Sequence, residues 1–204
     1  MITIVDYGSG NIRAIGNIYE KLNIEYSVAT TADQILAADK LILPGVGAFD
    51  ETITMLNTNG FREALDKKVL HHGTPILGIC VGMQMLADSS EEGKLPGLGW
   101  IHGEVKLFDK KEILGKPKTP HLGWNSISIK KESPIMYNID EEEGFYFIHS
   151  YYFECADEKD ILSLTEYGKV FSSAIKHDNI YGMQFHPEKS HKNGIQLLKN
   201  FAQL

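Results

Sequence analysis

In the first half of the chain, short unbroken apolar runs alternate with segments of helical spacing. Residues 2–6 form a β-branched run that predicts a strand. Across residues 11–22 the apolar positions Ile12, Ile15, Ile18, Tyr19 and Leu22 recur at a helical period. Residues 26–29 and 40–43 predict further strands, and 48–56 and 61–71 predict helices. Residues 74–79 predict a buried strand, followed directly by a short helix over 81–87. Strands that alternate with helices imply a parallel sheet covered on both faces. The second half is richer in extended segments: 104–108, 124–129, 145–153, 161–166, 171–176 and 180–185. Residues 92–103 form a glycine-rich loop, and 191–204 an amphipathic terminal helix. The expected architecture is one α/β domain over residues 1–204, with a mostly parallel central sheet that gains antiparallel strands late.

Composition narrows the function classes. With 204 residues, 43% of them apolar, the chain can bury a substantial core. The formal net charge of −7 argues against non-specific nucleic-acid binding, which needs clustered Lys and Arg. The acidic run Asp140-Glu141-Glu142-Glu143 is expected to be a solvated loop. No apolar stretch reaches membrane-spanning length, and residues 1–7 carry no basic region of a signal peptide. Cys80 and Cys155 are too few for a disulfide framework, and neither has a partner at metal-ligand spacing. A reducing cytoplasm is the expected location.

The segment Gly78-Ile79-Cys80-Val81-Gly82-Met83-Gln84 follows a buried strand and opens a helix. A sharp strand-to-helix turn presents its central side chain above a sheet in strained backbone geometry. Gly78 and Gly82 allow that turn and its close packing. A helix N-terminus beneath Cys80 would favour the thiolate, the reactive form. The Val81 N–H would face a carbonyl oxygen under attack. An isolated cysteine is usually a buried structural residue, and Cys155 keeps that reading.

Near the C-terminus stands Gln184-Phe185-His186-Pro187-Glu188-Lys189-Ser190. The predicted strand ends at Phe185, so His186 and Cys80 both stand at carboxyl ends of sheet strands, where α/β crevices form. His186 would take the thiol proton and later protonate a leaving group. Glu188, two residues on, would fix the imidazole tautomer and stabilise the imidazolium. The histidines at 71, 72, 102, 177 and 191 lack that context and are expected to be surface or structural residues.

At these motifs the chain resembles the class I glutamine amidotransferases, whose glutaminase domain has a flavodoxin-like α/β fold. A further match is Leu43-Pro44-Gly45-Val46-Gly47. Within that family it is similar to the glutaminase subunits of imidazole glycerol phosphate synthase. Four more pieces carry this similarity: Asp6-Tyr7-Gly8-Ser9-Gly10-Asn11, Pro120-His121-Leu122-Gly123-Trp124-Asn125, Tyr146-Phe147-Ile148-His149-Ser150-Tyr151 and Pro187-Glu188-Lys189-Ser190. Met83, before Gln84, also fits the subfamily.

The resemblance implies a Cys80-His186-Glu188 triad that hydrolyses glutamine, with Val46, Gly47 and Val81 at the oxyanion. It implies that Gln84 and Glu92 hold the substrate and that His149, Ser150 and Tyr151 line its pocket. Asn11, Trp124, Tyr146 and Lys189 would lie at the face that docks a synthase partner, a (β/α)8-barrel cyclase in a heterodimer serving histidine biosynthesis. No cofactor and no metal are implied. The flexible Gly45-Val46-Gly47 loop suggests a peptide that faces the wrong way until the partner binds, and hence low activity alone. Pro187-Glu188-Lys189-Ser190-His191-Lys192 and Asn179-Ile180-Tyr181-Gly182 also look like paralogues that feed ammonia to a sugar amidotransferase in surface-polysaccharide pathways. A cysteine peptidase, a redox sensor and a non-catalytic relative are disfavoured by the intact triad residues with Gln84 and Glu92.

Overall fold

The computed structural model describes residues 1–58, 60–114 and 119–204. The first half contains strands β1 (Ile2–Val5), β2 (Tyr26–Ala29), β3 (Lys40–Gly45) and β4 (Ile76–Cys80). Between and after them lie helices α1 (Ile12–Lys21), α2 (Ala32–Leu36), α3 (Phe49–Thr58), α4 (Phe61–Asp66) and α5 (Val81–Gln84). The second half holds β5 (Ser89–Ser90), β6 (Gly103–Leu107), β7 (His121–Asn125), β8 (Ser128–Ile129), β9 (Phe145–His149) and β10 (Tyr151–Cys155). β11 (Ile161–Tyr167), β12 (Lys169–His177), β13 (Ile180–Met183) and helix α6 (His191–Gln203) complete it.

The main sheet runs β2-β1-β3-β4-β13-β12-β10-β6-β5. From β2 to β13 every pairing is parallel. β12 turns antiparallel on β13, and β10 and β11 both pair with β12 antiparallel. The central strands β1 and β4 are buried at every position, as strands covered on both faces require. Connection direction reverses after β2. Because crossovers are right-handed, α1 falls on one face and α2 on the other. Packing agrees: α1 touches α6, while α2 and α3 touch α4. Tyr19 of α1 donates to the Leu198 carbonyl of α6 at 3.2 Å.

Four sequence expectations need correction. Residues 124–129 are not one strand: β7 ends at Asn125 in a small sheet with β9, and β8 pairs with β11 of the main sheet. Residues 145–153 are not one strand. The chain breaks at Ser150, leaving β9 paired with β7 in a separate two-stranded sheet and β10 in the main sheet. The helix predicted over 61–71 is α only to Asp66 and continues as a π turn, Lys67–His71. The helix after Cys80 is one turn long rather than reaching residue 87. Among the described residues, no helix is long and apolar enough to cross a membrane.

Candidate active site

Three strands of the parallel sheet meet at their carboxyl ends: Gly45 of β3 lies beside Cys80 of β4, and Met183 of β13 beside Ile79. The chain leaves β4 through Cys80 at φ 56° and ψ −113°, a conformation that L-residues rarely adopt. Close packing holds it there. A Cβ on Gly82 would land on the Leu43 carbonyl oxygen, and one on Gly45 would meet the Gly82 nitrogen. Cys80 is buried but opens on a cavity.

The strand β13 delivers the partner groups. After it the chain enters a short 3-10 turn, Pro187–Lys189, which brings Glu188 back under His186. His186 Nδ1 lies 2.8 Å from Glu188 Oε1, and the Glu188 side chain is 1% exposed. Cys80 lines the same cavity beside His186, close enough to act on the charge of its ring. Burial works against a charged ring, but the Cys80 sulfur and the Glu188 carboxylate outweigh it and hold His186 well above the ordinary imidazole range. A one-turn helix aligns few peptide dipoles, so His186 rather than α5 is the main electrostatic neighbour of the sulfur. The backbone here is pinned: His186 N–H donates to the Tyr146 carbonyl at 2.9 Å, and Ser190 Oγ donates to the His186 carbonyl at 2.6 Å.

The cavity holds about 380 Å³ and reaches Cys80, His186, Gln84 and Glu92. Its remaining wall includes His149, Ser150 and Tyr151 from the break between β9 and β10, and Val46, Gly47 and Val81. Thus the predicted nucleophile, base and pocket residues share one cavity of a size suited to a small metabolite. Glu92 accepts from the Phe49 N–H at 2.9 Å. Burial raises its pKa, against the pull of that N–H, with Asp50 and Glu51 adding to the rise. Gln84 Nε2 donates to the Tyr151 carbonyl and to Gln184 Oε1, each at 3.1 Å, and Gln184 Nε2 points to Cys80 Sγ at 3.9 Å.

The Val46 N–H is committed elsewhere. It donates to Ser9 Oγ at 3.0 Å, and the same hydroxyl donates to the Val46 carbonyl at 2.7 Å. One serine therefore closes both ends of the residue expected to serve the oxyanion.

The family profile of the glutamine amidotransferase class-I group matches residues 3–204. The chain belongs to the class I glutamine amidotransferases. It is 50% identical over 204 residues, all of both chains, to the imidazole glycerol phosphate synthase subunit HisH of Bdellovibrio bacteriovorus. It is 45% identical over 204 residues, again all of both chains, to the subunit of that name from Leptospira borgpetersenii. Its fold is also that of PurLQS from Thermotoga maritima, with a TM-score of 0.74 at 16% identity, covering 99% of this chain and 96% of that one.

In this amidotransferase the four residues expected at a docking face are split between site and surface. Trp124 and Tyr146 are register partners across β7 and β9. Trp124 is 44% exposed, so it is not the core aromatic that strand spacing alone suggests. Leu122 and Ile148, the next pair on the same face, are also exposed. Lys189 Nζ sits 5.8 Å over the Tyr146 ring. Asn11 instead turns inward, its Nδ2 lying 3.4 Å from Glu188 Oε1. Cys155 is remote from the cavity; burial pushes its thiol up to about 12 despite a contact with Ser172, and Asp160 and Asp157 add to the rise. Sequence reasoning missed Ser9, Gln184, His121 and Asn125 as polar partners in the amidotransferase site. Gln184, next to Phe185 and His186, was the most accessible of these; the other three act across the fold.

Proposed function

We propose that the chain, acting as one domain over residues 1–204, is the glutaminase subunit of an imidazole glycerol phosphate synthase in a reducing cytoplasm. The observation that carries this reading is the buried His186–Glu188 pair, whose imidazole shares the wall of a small-metabolite cavity with Cys80. Full-length similarity to two subunits of that name supports the choice of synthase.

The Cys80 thiolate attacks the side-chain amide carbon of glutamine. The Val81 N–H and a reoriented Val46 N–H stabilise the oxyanion. His186, oriented by Glu188, gives its proton to the departing nitrogen, and ammonia leaves a thioester on Cys80. His186 then takes a proton from water, whose oxygen attacks the thioester. Glutamate departs and the thiolate–imidazolium pair returns. Gln84 and Glu92 hold the substrate, with His149, Ser150 and Tyr151 around it. In water at neutral pH ammonia becomes ammonium, which is no nucleophile, so the product needs a shielded route. The exposed face with Trp124, Tyr146 and Lys189, beside Asn11, docks a cyclase of (β/α)8-barrel form.

Replacing Cys80→Ser is expected to cut glutamate release by at least about a thousandfold, as loss of a nucleophile does, with an unchanged circular dichroism spectrum. Near-wild-type turnover in that variant would end the reading. Mixing the chain with its cognate cyclase is expected to give a heterodimer on size-exclusion chromatography. Co-purification with a sugar-activating enzyme instead would move the assignment to the surface-polysaccharide paralogues.

A further inference from the structure

Two buried histidines in the middle of the chain, His149 in the cavity wall and His121 behind it, transfer no proton in the reaction above. His121 is 2% exposed and His149 is 6% exposed, and they face each other across the β7–β9 pair. Their rings are linked, His121 Nδ1 to His149 Nε2 at 3.0 Å. His149 Nδ1 reaches the Tyr151 carbonyl at 2.7 Å. At the other end, Asn125 Nδ2 reaches His121 Nε2 at 3.2 Å and the Glu166 carbonyl at 2.9 Å. His121 lies stacked between Phe147 and Tyr167, with ring centroids 4.6 and 4.0 Å away.

The proton positions follow from what each end can accept. A carbonyl oxygen only accepts, so His149 Nδ1 carries the hydrogen that meets Tyr151. In the neutral ring Nε2 is then a bare acceptor and must receive from His121 Nδ1–H. His121 Nε2 is in turn bare and receives from the Asn125 amide, whose second N–H meets Glu166. The opposite assignment would set two lone pairs against each other between the rings and two hydrogens against each other beside Asn125. The chain therefore runs one way, from Asn125 through His121 and His149 to the Tyr151 carbonyl.

That carbonyl also receives Gln84 Nε2, which binds Gln184, which points to Cys80. The Tyr151 peptide stands just past the Ser150 break, where the chain passes from the small sheet into the main one. Its position is thus set by one contact from the small sheet, through His149, and one from α5, through Gln84.

The geometry points to His121 as a positioning residue: acting through His149, it holds the Tyr151 carbonyl and Gln84 in register with Cys80, and so sets glutamine binding. This rests on the proposed glutaminase reading for the ligand, but not for the proton chain itself. His121→Leu keeps bulk and removes the donor. His121→Asn places an amide nitrogen near the position of Nδ1 and restores it.

Loss of one oriented hydrogen bond is expected to raise KM for glutamine about tenfold in His121→Leu, with kcat within about threefold of wild type. His121→Asn is expected to return KM to near the wild-type value. A purely packing role would leave KM unmoved in any variant that folds. Independently of any variant, long-range proton–nitrogen NMR spectra of the wild-type protein at neutral pH should show both rings as Nδ1–H tautomers. A His149 ring protonated on Nε2, or a folded His121→Leu with wild-type KM, overturns the proposal. Absence of glutamine turnover in the wild type would count against the proposed function instead, and the spectrum would still decide the proton chain.

Discussion

Ser9 is the residue whose single hydroxyl reaches both the N–H and the carbonyl of Val46. In that arrangement the Val46 peptide is tied to the loop after β1, and its N–H is spent on an oxygen other than the substrate's. If Val46 serves the oxyanion, as proposed, the hydroxyl stabilises the resting orientation. Each ordinary hydrogen bond contributes about 1 kcal/mol net, so removing both of Ser9 shifts the loop population by roughly tenfold or more. Ser9→Ala is therefore expected to raise glutamate release by the isolated chain about tenfold, and to shrink the further stimulation by a cyclase partner. Stopped assays of glutamate with and without partner would measure both. An unchanged or lower rate without partner would show that Ser9 is not the restraint. Ser9 stands in one of the motifs that carry the family similarity, but nothing local gives it this role, because its partner lies 37 residues away on another loop. The proposed triad was legible for the opposite reason: Cys80 and His186 stand in local context, a strand end followed by a turn, and Glu188 lies two residues beyond His186.

The elements follow the hydrophobic pattern where that pattern is long or bounded, and depart from it where tertiary pairing decides. Strand β2 occupies residues 26–29 as the run of apolar positions predicts. Helix α2 was overlooked because five residues cannot display a helical period. Its real signature is the capping box of Thr31 and Gln34, whose side chains answer each other's backbone N–H groups. The break at Ser150 is hidden in a run of strand-forming residues. Inward positions alternate at Phe145, Phe147 and His149 in β9, but Tyr152 and Phe153 are both buried in β10, so the phase of the pleat is lost at the crossing. The nucleophile turn is the element most sensitive to substitution. Gly82 packs its backbone against Leu43 of β3 with no room for a methyl group. Gly82→Ala must push α5 off β3, and overpacking of this kind costs about 1–3 kcal/mol. A lower urea midpoint is expected, together with a fall in glutaminase rate, because the displaced turn carries Cys80 and Val81. A variant with wild-type midpoint and rate would show that the turn has slack the packing denies.

For the whole molecule, the buried imidazoles make stability depend on pH in two opposite ways. Burial drives His121 down to about 4. Burial, with His121 and His186 nearby, drives His149 down to about 3, against the pull of the Tyr151 carbonyl. In the unfolded chain both titrate near the ordinary value of about 6.5. Between those limits the unfolded state binds more protons than the folded one, so the stability these rings contribute is present above about pH 6.5 and is lost as the pH falls. The loss approaches roughly 1.4 kcal/mol per pH unit for each ring that stays neutral while its unfolded counterpart is charged. His186 has the reverse sign. Its folded pKa is raised, so its contribution is complete below the unfolded value and fades only as the pH climbs through the folded one. It leaves the acid limb to the other pair. Urea unfolding at pH 7 and pH 5 should therefore show a steep fall in the wild-type protein, and a fall about half as steep in His121→Leu, where one proton-binding site is gone from the unfolded chain. Equal pH slopes for the two proteins would mean that His121 is not held neutral. The hydrogen-bond chain joining the two sheets would then lose the neutral His121 ring on which its direction depends.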